Sequence, residues 1–365
     1  MKITYLANIR LPTEKAHGLQ IMKTCEAFVQ EGASVTLVVP RRRNWLTDDP
    51  FTYYGIATRF PIVYLPTLDW VRFGRVGFIV QTLSYSVSAF WYCFTNTSDV
   101  VFSRDELPLW VASFIAKKTV WESHTGAWNF VARSIARRCT KLVAISGGIK
   151  NLYAKRGIDT SKIIVAPDGV ELAAFANTEP TVAARQRLGL PQDKKVAMYI
   201  GRLDGWKGAA TLLEASNLLP SNILVAIIGG EEAQVAAMRH KYPKAHFLGY
   251  HPYAEVANNQ AAANVLVLPN TAKDTISAEL TSPLKLFTYM ASGKPIVASD
   301  LPSIREVLSN DACYFAKPDD AHSFAVQIQA ACTNSEEVAL KASAALGLVQ
   351  EYSWQKRAQK ILVNI

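Results

Sequence analysis

The stretch Ser282–Leu308, SPLKLFTYMASGKPIVASDLPSIREVL, predicts a helix, a turn, a buried strand and a second short helix. Ser282 is a good N-cap and Pro283 suits the first helical position, so we expect the helix to begin there with free amides. The SGKP sequence of Ser292–Pro295 ends that helix, and Ile296–Ala298 is short and apolar enough for an interior parallel strand. Free amides at a helix N-terminus attract anions, so this stretch predicts a phosphate-type site.

Apolar strand candidates alternate with helical patterns along the whole chain. In the first half the predicted strands are Ile3–Leu6, Val35–Val39, Val100–Phe102, Thr119–Trp121, Leu142–Ile145 and Ile163–Val165. In the second half they are Val196–Ile200, Leu224–Ile228, His246–Leu248, Val265–Leu268, Ile296–Ala298 and Cys313–Phe315. Helical periodicity lies between them, notably over Leu19–Gln30. The alternation predicts an α/β protein of two doubly wound, Rossmann-like domains with helices on both sheet faces.

Composition and cysteine usage indicate an intracellular protein. With 365 residues, half of them hydrophobic, the chain can bury two ordinary domain cores. Met1–Ala7 is a short strand candidate and lacks the long apolar core of a signal peptide. The scattered cysteines form no CxxC pair, which argues against a disulfide framework or a cysteine zinc site and suits a reducing cytoplasm; they are Cys25, Cys93, Cys139, Cys313 and Cys332.

Charge is distributed unevenly. Of the formal net charge of +9, residues 1–175 carry +8 and the remainder +1. A basic half of this kind attracts anionic lipid headgroups or a phosphorylated acceptor, although a solvated surface without a partner is an equally good interpretation. Nucleic acid is not expected as a partner, because no recognisable binding module accompanies the charge.

The segment between Arg75 and Asp99 contains no charged residue, and Val76–Phe94 is rich in apolar side chains. Five polar residues interrupt it, namely Gln81, Thr82, Ser84, Ser86 and Ser88. A helix that crosses a bilayer would carry fewer polar groups. We therefore favour a buried helix here, with a membrane-surface element as the alternative and a membrane span as the weakest interpretation.

The sequence Tyr199–Gly208, YIGRLDGWKG, leaves a predicted strand and enters a helix. It is neither a Walker A loop nor a GxGxxG motif, so ATP hydrolysis and hydride transfer lose support. Its glycines, Gly201 among them, let the backbone approach a diphosphate, and Arg202 and Lys207 can offset the charge of a departing nucleoside diphosphate. A surface salt-bridge role is the alternative. Two further strand-to-loop turns, which contain Gly230 and Gly249, are weak signals that equally suit tight turns.

Other strand ends add polar residues. The loop Pro12–Gly18 joins the first strand to the first helix, which places Lys15, His17 and the amide of Gly18 at the expected ligand side. A purely structural loop is the alternative. His124 follows the strand that ends in Trp121, and a lone histidine of this kind is more often structural. No DxD, HExxH, GxSxG or cysteine–histidine metal spacing occurs, so we expect no metal.

These motifs, in this order, resemble the retaining glycosyltransferases of the GT4 group (glycosyl transferases group 1), which have the GT-B fold. The resemblance covers nearly the whole chain. It implies that a final helix, which begins near the Tyr352–Trp354 sequence, crosses back to the N-terminal domain and that a deep cleft separates the domains. We therefore expect an N-terminal, acceptor-side domain of residues 1–177, completed by 351–365, and a nucleotide-sugar-binding domain of residues 178–350, with the boundary at Asn177–Pro180.

The resemblance also implies roles for individual residues. His124, Arg202 and Lys207 would be catalytic: His124 would contact the donor sugar, and the two cations would hold its phosphates. Lys15, His17 and Gly18 would meet phosphate or acceptor, although Ala16-His17 replaces the usual Gly-Gly pair. The implied donor-binding set is Gly201, Arg202, Lys207, Gly230, Tyr250, His251, Glu279, Ser282, Pro283, Leu284, Lys285 and Thr288. Tyr250 and His251 would frame the nucleobase.

One position departs from the family pattern. Where relatives usually have a glutamate that holds the ribose hydroxyls of the donor, this chain has Thr288. A second glutamate of many relatives corresponds here to Leu280, with Glu279 adjacent. A glutamate at position 288 could accept two charge-assisted hydrogen bonds, each worth roughly 1.5–3 kcal/mol, whereas threonine offers one neutral hydroxyl. We expect Leu284, Lys285 and Thr288 to lie near one face, directed at the cleft.

The resemblance implies a retaining transferase that takes a hexose-type unit from a UDP-sugar or GDP-sugar without a metal or a cofactor. The acceptor would be a glycan or a lipid-linked molecule in surface polysaccharide or glycolipid synthesis, and the protein would be cytoplasmic or peripheral on the inner membrane face. The alternative is a catalytically weakened GT-B protein that acts as a sugar-nucleotide-binding or partner subunit. A GT-B epimerase or phosphorylase is a more distant possibility.

Overall fold

The computed structural model describes residues 1–203, 205–333 and 335–365. Asp204, within the Tyr199–Gly208 sequence, lies outside these ranges. By its contacts the chain divides into an N-terminal unit, residues 1–168 with 354–365, and a C-terminal unit, residues 169–353. The sequence places the boundary later, at Asn177–Pro180. Residues just after Asp168 group with the C-terminal unit because the Val170 amide donates to the Tyr352 carbonyl at 2.9 Å.

The N-terminal unit is built on a seven-stranded parallel sheet with strand order β3-β2-β1-β4-β5-β6-β7. Its strands are β1 Lys2–Leu6, β2 Ser34–Pro40, β3 Ile62–Leu65, β4 Val100–Ser103, β5 Thr119–Ser123, β6 Lys141–Ala144 and β7 Ile163–Val165. The central strands are apolar almost throughout because helices cover both sheet faces. In register, Ile3 pairs with Val35 of β2 and with Val100 of β4.

Seven helices accompany this sheet. They are α1 Ala16–Gln30, α2 Pro50–Tyr54, α3 Gly74–Thr95, α4 Glu106–Ala112, α5 Phe130–Arg138, α6 Gly147–Lys155 and, from the C-terminus, α15 Trp354–Leu362. Side-chain caps explain three of the starts: Asp49 accepts from the Thr52 amide, Asn129 from the Ala132 amide and Ser146 from the Ile149 amide. The last helix groups with the N-terminal unit, as the sequence analysis expected.

The C-terminal unit is built on a six-stranded parallel sheet with strand order β10-β9-β8-β11-β12-β13. Its strands are β8 Lys195–Ile200, β9 Ile223–Ile228, β10 His246–Gly249, β11 Val265–Leu268, β12 Ile296–Ser299 and β13 Tyr314–Ala316. Its helices are α7 Thr181–Leu188, α8 Ala209–Ser216, α9 Glu232–Lys241, α10 Val256–Ala261, α11 Leu284–Ala291, α12 Pro302–Arg305, α13 Ala321–Thr333 and α14 Ser335–Leu348. Alternate residues of β8 pack into two separate cores, Val196 and Met198 in one, Ala197 and Tyr199 in the other.

Every strand that the sequence predicts is present, and the prediction of two doubly wound sheets is confirmed. The sequence analysis missed β3, a four-residue strand at the sheet edge between Pro61 and Pro66. Such a strand is difficult to predict because it pairs on one side only and is largely not buried.

Two local expectations were wrong. The helix after Ser282 begins one residue later than predicted: Pro283 is its N-cap, in an extended conformation, and makes no side-chain cap bond.

The uncharged segment forms α3, but this helix is not buried, because many of its large apolar side chains are exposed. Within the described ranges, none of the helices combines the length and the apolar character that crossing a membrane requires.

Candidate functional site

A buried carboxylate lies at the carboxyl end of β5 in the N-terminal unit. Glu122 is fully buried, and its Oε1 accepts from Gln20 Nε2 at 2.5 Å and lies 2.5 Å from His124 Nε2. Its Oε2 accepts from Arg357 Nη2 on α15 at 2.7 Å. The helix at the far end of the sequence therefore supplies the cation for a carboxylate beside His124.

The protonation states of this pair follow from its surroundings. Burial alone would raise the pKa of Glu122, but the charge of Arg357 and hydrogen bonds from His124 and Arg357 hold it well below its usual range. Burial and the charge of Arg104 lower the pKa of His124 to about 4, against the opposing effect of Glu122. The carboxylate is thus ionised at neutral pH and can only accept, so the neutral imidazole donates from Nε2 and keeps Nδ1 as an acceptor.

Arg357 makes further contacts inside the N-terminal unit. Its Nε donates to the Pro167 carbonyl at 3.0 Å and its Nη1 to Thr24 Oγ1 at 3.2 Å. Burial raises the pKa of the neighbouring Asp168 to about 7, although the charge of Arg357 opposes this. The Pro167–Val170 turn therefore positions a buried acid next to the Glu122 cluster.

The first turn of α1 contributes His17 to the same neighbourhood. Burial, followed by the charges of Arg104, Lys15 and His124, lowers the pKa of His17 to about 4. Lys15 is the exposed N-cap residue of α1. Gly18 is required here for steric reasons, because a Cβ at this position would collide with the Tyr54 hydroxyl.

In the C-terminal unit, three glycine loops lie side by side where β8, β9 and β10 end. The Gly201 amide donates to the Ile228 carbonyl at 2.9 Å, and the Gly229 amide donates to the Gly249 carbonyl at 2.7 Å. A Cβ at Gly229 would collide with the Gly201 carbonyl, and one at Gly230 would approach Leu203 Cδ1 at 2.6 Å. The sequence-predicted turns thus form one closely packed backbone edge, of the kind that anions approach.

Tyr199 connects Lys285 to the backbone of Arg202. Lys285 Nζ donates to the Tyr199 hydroxyl at 2.9 Å and lies 4.0 Å from the centre of its ring. The same hydroxyl donates to the Arg202 carbonyl at 2.6 Å. Lys285 Nζ is also close to Gly201: a Cβ added at Gly201 would lie only 2.5 Å from this nitrogen. The structure therefore brings Lys285 next to the Gly201–Arg202 backbone.

Lys207 lies on the adjoining turn. Its Nζ is 3.4 Å from the centre of the Trp206 ring, a cation–π contact that orients the ammonium group. The Trp206 carbonyl accepts from Ser277 Oγ at 3.1 Å, which holds the π-helical turn Ile276–Leu280 against the Lys207 turn. Glu279 is exposed on that turn, whereas Leu280 is buried.

The first turn of α11 follows its cap residue Pro283. Leu284 and Lys285 are half-buried at its first turn, and the amide of Leu286 is already bonded to the Pro283 carbonyl at 2.8 Å. Ser282 is buried and precedes the cap.

Thr288 does not face outward, contrary to expectation. It is 2% exposed, its hydroxyl accepts from Gln260 Nε2 at 2.9 Å, and it donates to the Lys285 carbonyl at 3.0 Å. At the nearby β10 loop, Tyr250 is 60% exposed, and His251 is held by Glu255 through Nδ1 at 2.8 Å.

Sequence reasoning missed four residues of these clusters: Gln20, Tyr199, Gln260 and Arg357. Tyr199 carried a signal, since it directly precedes the glycine loop at a strand end. Gln20, Gln260 and Arg357 carried none, because their partners are distant in the sequence.

Comparison with known proteins supports a single assignment. Residues 194–334 match the sequence model of the family described as Glycosyl transferases group 1. A D-inositol 3-phosphate glycosyltransferase of Xylanimonas cellulosilytica is 30% identical over 178 residues, 44% of this chain and 40% of the relative. A phosphatidyl-myo-inositol mannosyltransferase of Mycobacterium tuberculosis is 29% identical over 216 residues, 55% of this chain and 53% of the relative. The chain thus spans about half or less of the length of these relatives.

Solved structures agree over the whole chain. Anabaena Alr3699/HepE in complex with UDP-glucose has a TM-score of 0.78 at 17% identity and covers 100% of both chains. Sucrose-phosphate synthase from Thermosynechococcus elongatus has a TM-score of 0.79 at 18% identity, with 99% of this chain and 97% of that chain covered. The fold is therefore GT-B. Within this fold, residues 194–334 match the group 1 glycosyltransferase family.

Proposed function

We propose that this protein is a retaining glycosyltransferase that moves a sugar from a UDP-sugar or GDP-sugar to a glycan or lipid-linked acceptor. The observation that carries the proposal is the edge formed by the β8, β9 and β10 loops, where packed glycines meet Arg202, Lys207 and Lys285. This edge lies within the segment that matches the family. Cations and helix amides directed at a diphosphate are the groups that favour its departure.

In the transfer step, the bond between the anomeric carbon and the diphosphate breaks, and the acceptor oxygen forms the new bond on the same face while its proton passes to the departing phosphate. Arg202 and Lys207 would stabilise the two phosphates as charge develops on the leaving oxygen, and the first amides of α11 would add hydrogen bonds. No protein carboxylate is needed as a nucleophile in this scheme. We propose that the reaction is independent of metal.

The N-terminal cluster would supply sugar recognition. Neutral His124 keeps Nδ1 as an acceptor, which suits a sugar hydroxyl, and the ionised Glu122 fixes the orientation of the ring. Lys15 and the Gly18 amide would meet phosphate or acceptor. The names of the two relatives, an inositol phosphate glycosyltransferase and a phosphatidylinositol mannosyltransferase, support a place in glycolipid synthesis.

The test is release of free UDP or GDP from a panel of nucleotide sugars, with purified protein and detergent-dispersed lipid acceptors. We expect release from one donor. Arg202→Ala and Lys207→Ala should each reduce the rate by roughly 10²–10³, the usual effect of removing one group that stabilises developing charge. Lys195→Ala is the matched control, because Lys195 is an exposed cation at the opposite end of β8.

Two outcomes would count against the proposal. If the protein binds UDP or GDP but releases neither from any donor, the alternative of a non-catalytic sugar-nucleotide-binding subunit would replace it. If Arg202→Ala and Lys207→Ala both turn over at the wild-type rate, the assignment of the diphosphate site is wrong.

A further inference from the structure

Helix α3 presents its apolar side to the outside of the N-terminal unit. Each of six apolar side chains on it is more than half exposed: Val76, Ile79, Leu83, Val87, Trp91 and Phe94. Their spacing of three or four residues places them on one side of the helix. At 1.5 Å per residue the stripe runs for about 27 Å.

The side of α3 that packs on the unit has small and polar residues and one tyrosine, but no large aliphatic side chain. Gln81 and Tyr85 are fully buried and Ser86 nearly so. Gln81 Nε2 donates to Asn8 Oδ1 at 2.8 Å, and the Tyr85 hydroxyl donates to the Val38 carbonyl at 2.7 Å while it accepts from the Ala7 amide. A surface helix of a water-soluble domain usually has the reverse arrangement, with its apolar stripe on the core. The exposed stripe is therefore not explained by folding of this unit.

Exposed arginines and aromatic side chains lie next to the apolar stripe of α3. The 3-10 turn Val71–Phe73 leads into α3, and Arg72 and Arg75 are exposed around it, while no acidic residue occurs from Trp70 to Ser98. Exposed aromatic side chains lie at both ends, Trp70 and Phe73 at the start and Trp91 and Phe94 at the finish. The turn and α3 enclose an open depression of about 490 Å³, lined by Val71, Gly74, Arg75, Phe78 and Ile79.

We propose that the α3 surface, meaning the turn Val71–Phe73 and the exposed side of α3, docks on an anionic lipid bilayer. The helix would lie in the plane of the membrane, with its apolar stripe at the headgroup–acyl boundary and its arginines on the phosphates. Aromatic side chains favour that boundary, because their rings are apolar and their polar edges stay hydrated.

The positive charge of the α3 surface favours an anionic bilayer over a second copy of the chain as its partner. A second α3 surface would bring two more arginines and no acidic residue, so it offers no complement to Arg72 and Arg75. An anionic bilayer offers both an apolar layer and negative headgroups, and the +8 charge of residues 1–175 acts in the same direction. The inference does not rest on the proposed transferase activity.

The test is flotation of the full-length protein with vesicles that contain phosphatidylglycerol and phosphatidylcholine. We expect the wild-type protein to float with these vesicles, and to do so less with pure phosphatidylcholine or at raised NaCl. The triple variant Ile79→Gln, Leu83→Gln, Trp91→Gln should bind at least tenfold more weakly. Arg72→Gln with Arg75→Gln should weaken binding to anionic vesicles roughly fivefold per charge.

Matched controls come from the C-terminal unit. Val182→Gln with Leu340→Gln removes exposed apolar groups there, and Lys195→Gln with Lys241→Gln removes two exposed charges. Both controls should bind vesicles as the wild type does, and all variants should keep the wild-type unfolding temperature because the substituted side chains are exposed.

Wild-type protein that fails to float overturns the proposal, as does a triple variant that floats normally. A wild-type dimer that becomes monomeric in the triple variant assigns the surface to a second copy instead.

Discussion

The hydroxyl of Thr288 both accepts and donates a hydrogen bond inside the C-terminal unit. It joins Gln260 of α10 to the backbone of α11, with distances of 2.9 Å to Gln260 Nε2 and 3.0 Å to the Lys285 carbonyl. The side chain of Lys285 in turn donates to Tyr199 beside the Gly201 loop. Thr288 is therefore connected to that loop through Lys285. At the scale of one residue, Thr288 therefore holds α10 and α11 together through its hydroxyl.

We predict that Thr288→Val lowers the free energy of unfolding by about 1–3 kcal/mol, because the Gln260 amide loses its acceptor in a buried place. Thr288→Ser keeps the hydroxyl and should lose much less. Thermal or urea unfolding of the two variants measures the difference. Equal stability of Thr288→Val and the wild type would show that the hydrogen bonds of Thr288 contribute nothing net.

At the scale of elements, α15 is tied to β5 and α1 by a buried ion pair. Arg357 and Glu122 are 3% and 0% exposed, 2.7 Å apart, and 235 positions apart in the sequence. The same arginine contacts Thr24 on α1 and the Pro167 carbonyl. This pair fixes the C-terminal helix and also orients the carboxylate that holds His124.

We predict that Arg357→Met destabilises the protein by about 3–5 kcal/mol, because it leaves the charge of Glu122 buried without its cation. Glu122→Gln with Arg357→Met should be more stable than the sum of the two single changes predicts, and a double-mutant cycle of unfolding free energies measures this coupling. Lys360→Met is the matched control, an exposed cation on the same helix whose loss should stay within about 0.5 kcal/mol. Additive effects of the two single changes would contradict the coupling.

At the scale of the whole molecule, several buried groups link folding to pH, and they act in opposite directions. His124 and His17 titrate at a pKa of about 4 when folded, so the unfolded chain takes up their protons first as the pH falls below about 6.5. Their contribution to stability is complete above that pH and is lost as the pH falls to about 4. Asp168 has a raised pKa of about 7, so its contribution is lost as the pH rises through that value.

We predict that His124→Gln flattens the decline of stability between pH 6.5 and pH 4, whatever it does to stability at neutral pH. Within that window a single histidine of this kind changes the unfolding free energy by up to about 1.4 kcal/mol per pH unit. Unfolding midpoints across the pH range measure the slope, and His240→Gln, an exposed histidine on α9, is the control. An unchanged slope in His124→Gln would show that this imidazole is not held neutral.

The sequence was sufficient for the parts of the fold that depend on local pattern. Parallel strands buried on both faces must be continuous apolar runs, so twelve strands could be placed from the sequence, together with the glycine loops that follow β8, β9 and β10. The last helix was predicted from its amphipathic pattern, and its return to the N-terminal domain was predicted by resemblance. The edge strand β3 and the one-residue shift at the start of α11 escaped prediction, because neighbouring prolines and partial burial blur the local signal.

By itself, then, the sequence determined the alternation of strands and helices, the two sheets and the Arg202–Lys207 loop. Only the tertiary structure decided three further features: that Arg357 meets Glu122, that Thr288 turns inward to Gln260, and that the apolar side of α3 faces outward. The reason is physical. Apolar periodicity reports that a helix has two different sides, but which side is covered depends on contacts with residues far away in the chain, and those contacts form only when the domain packs.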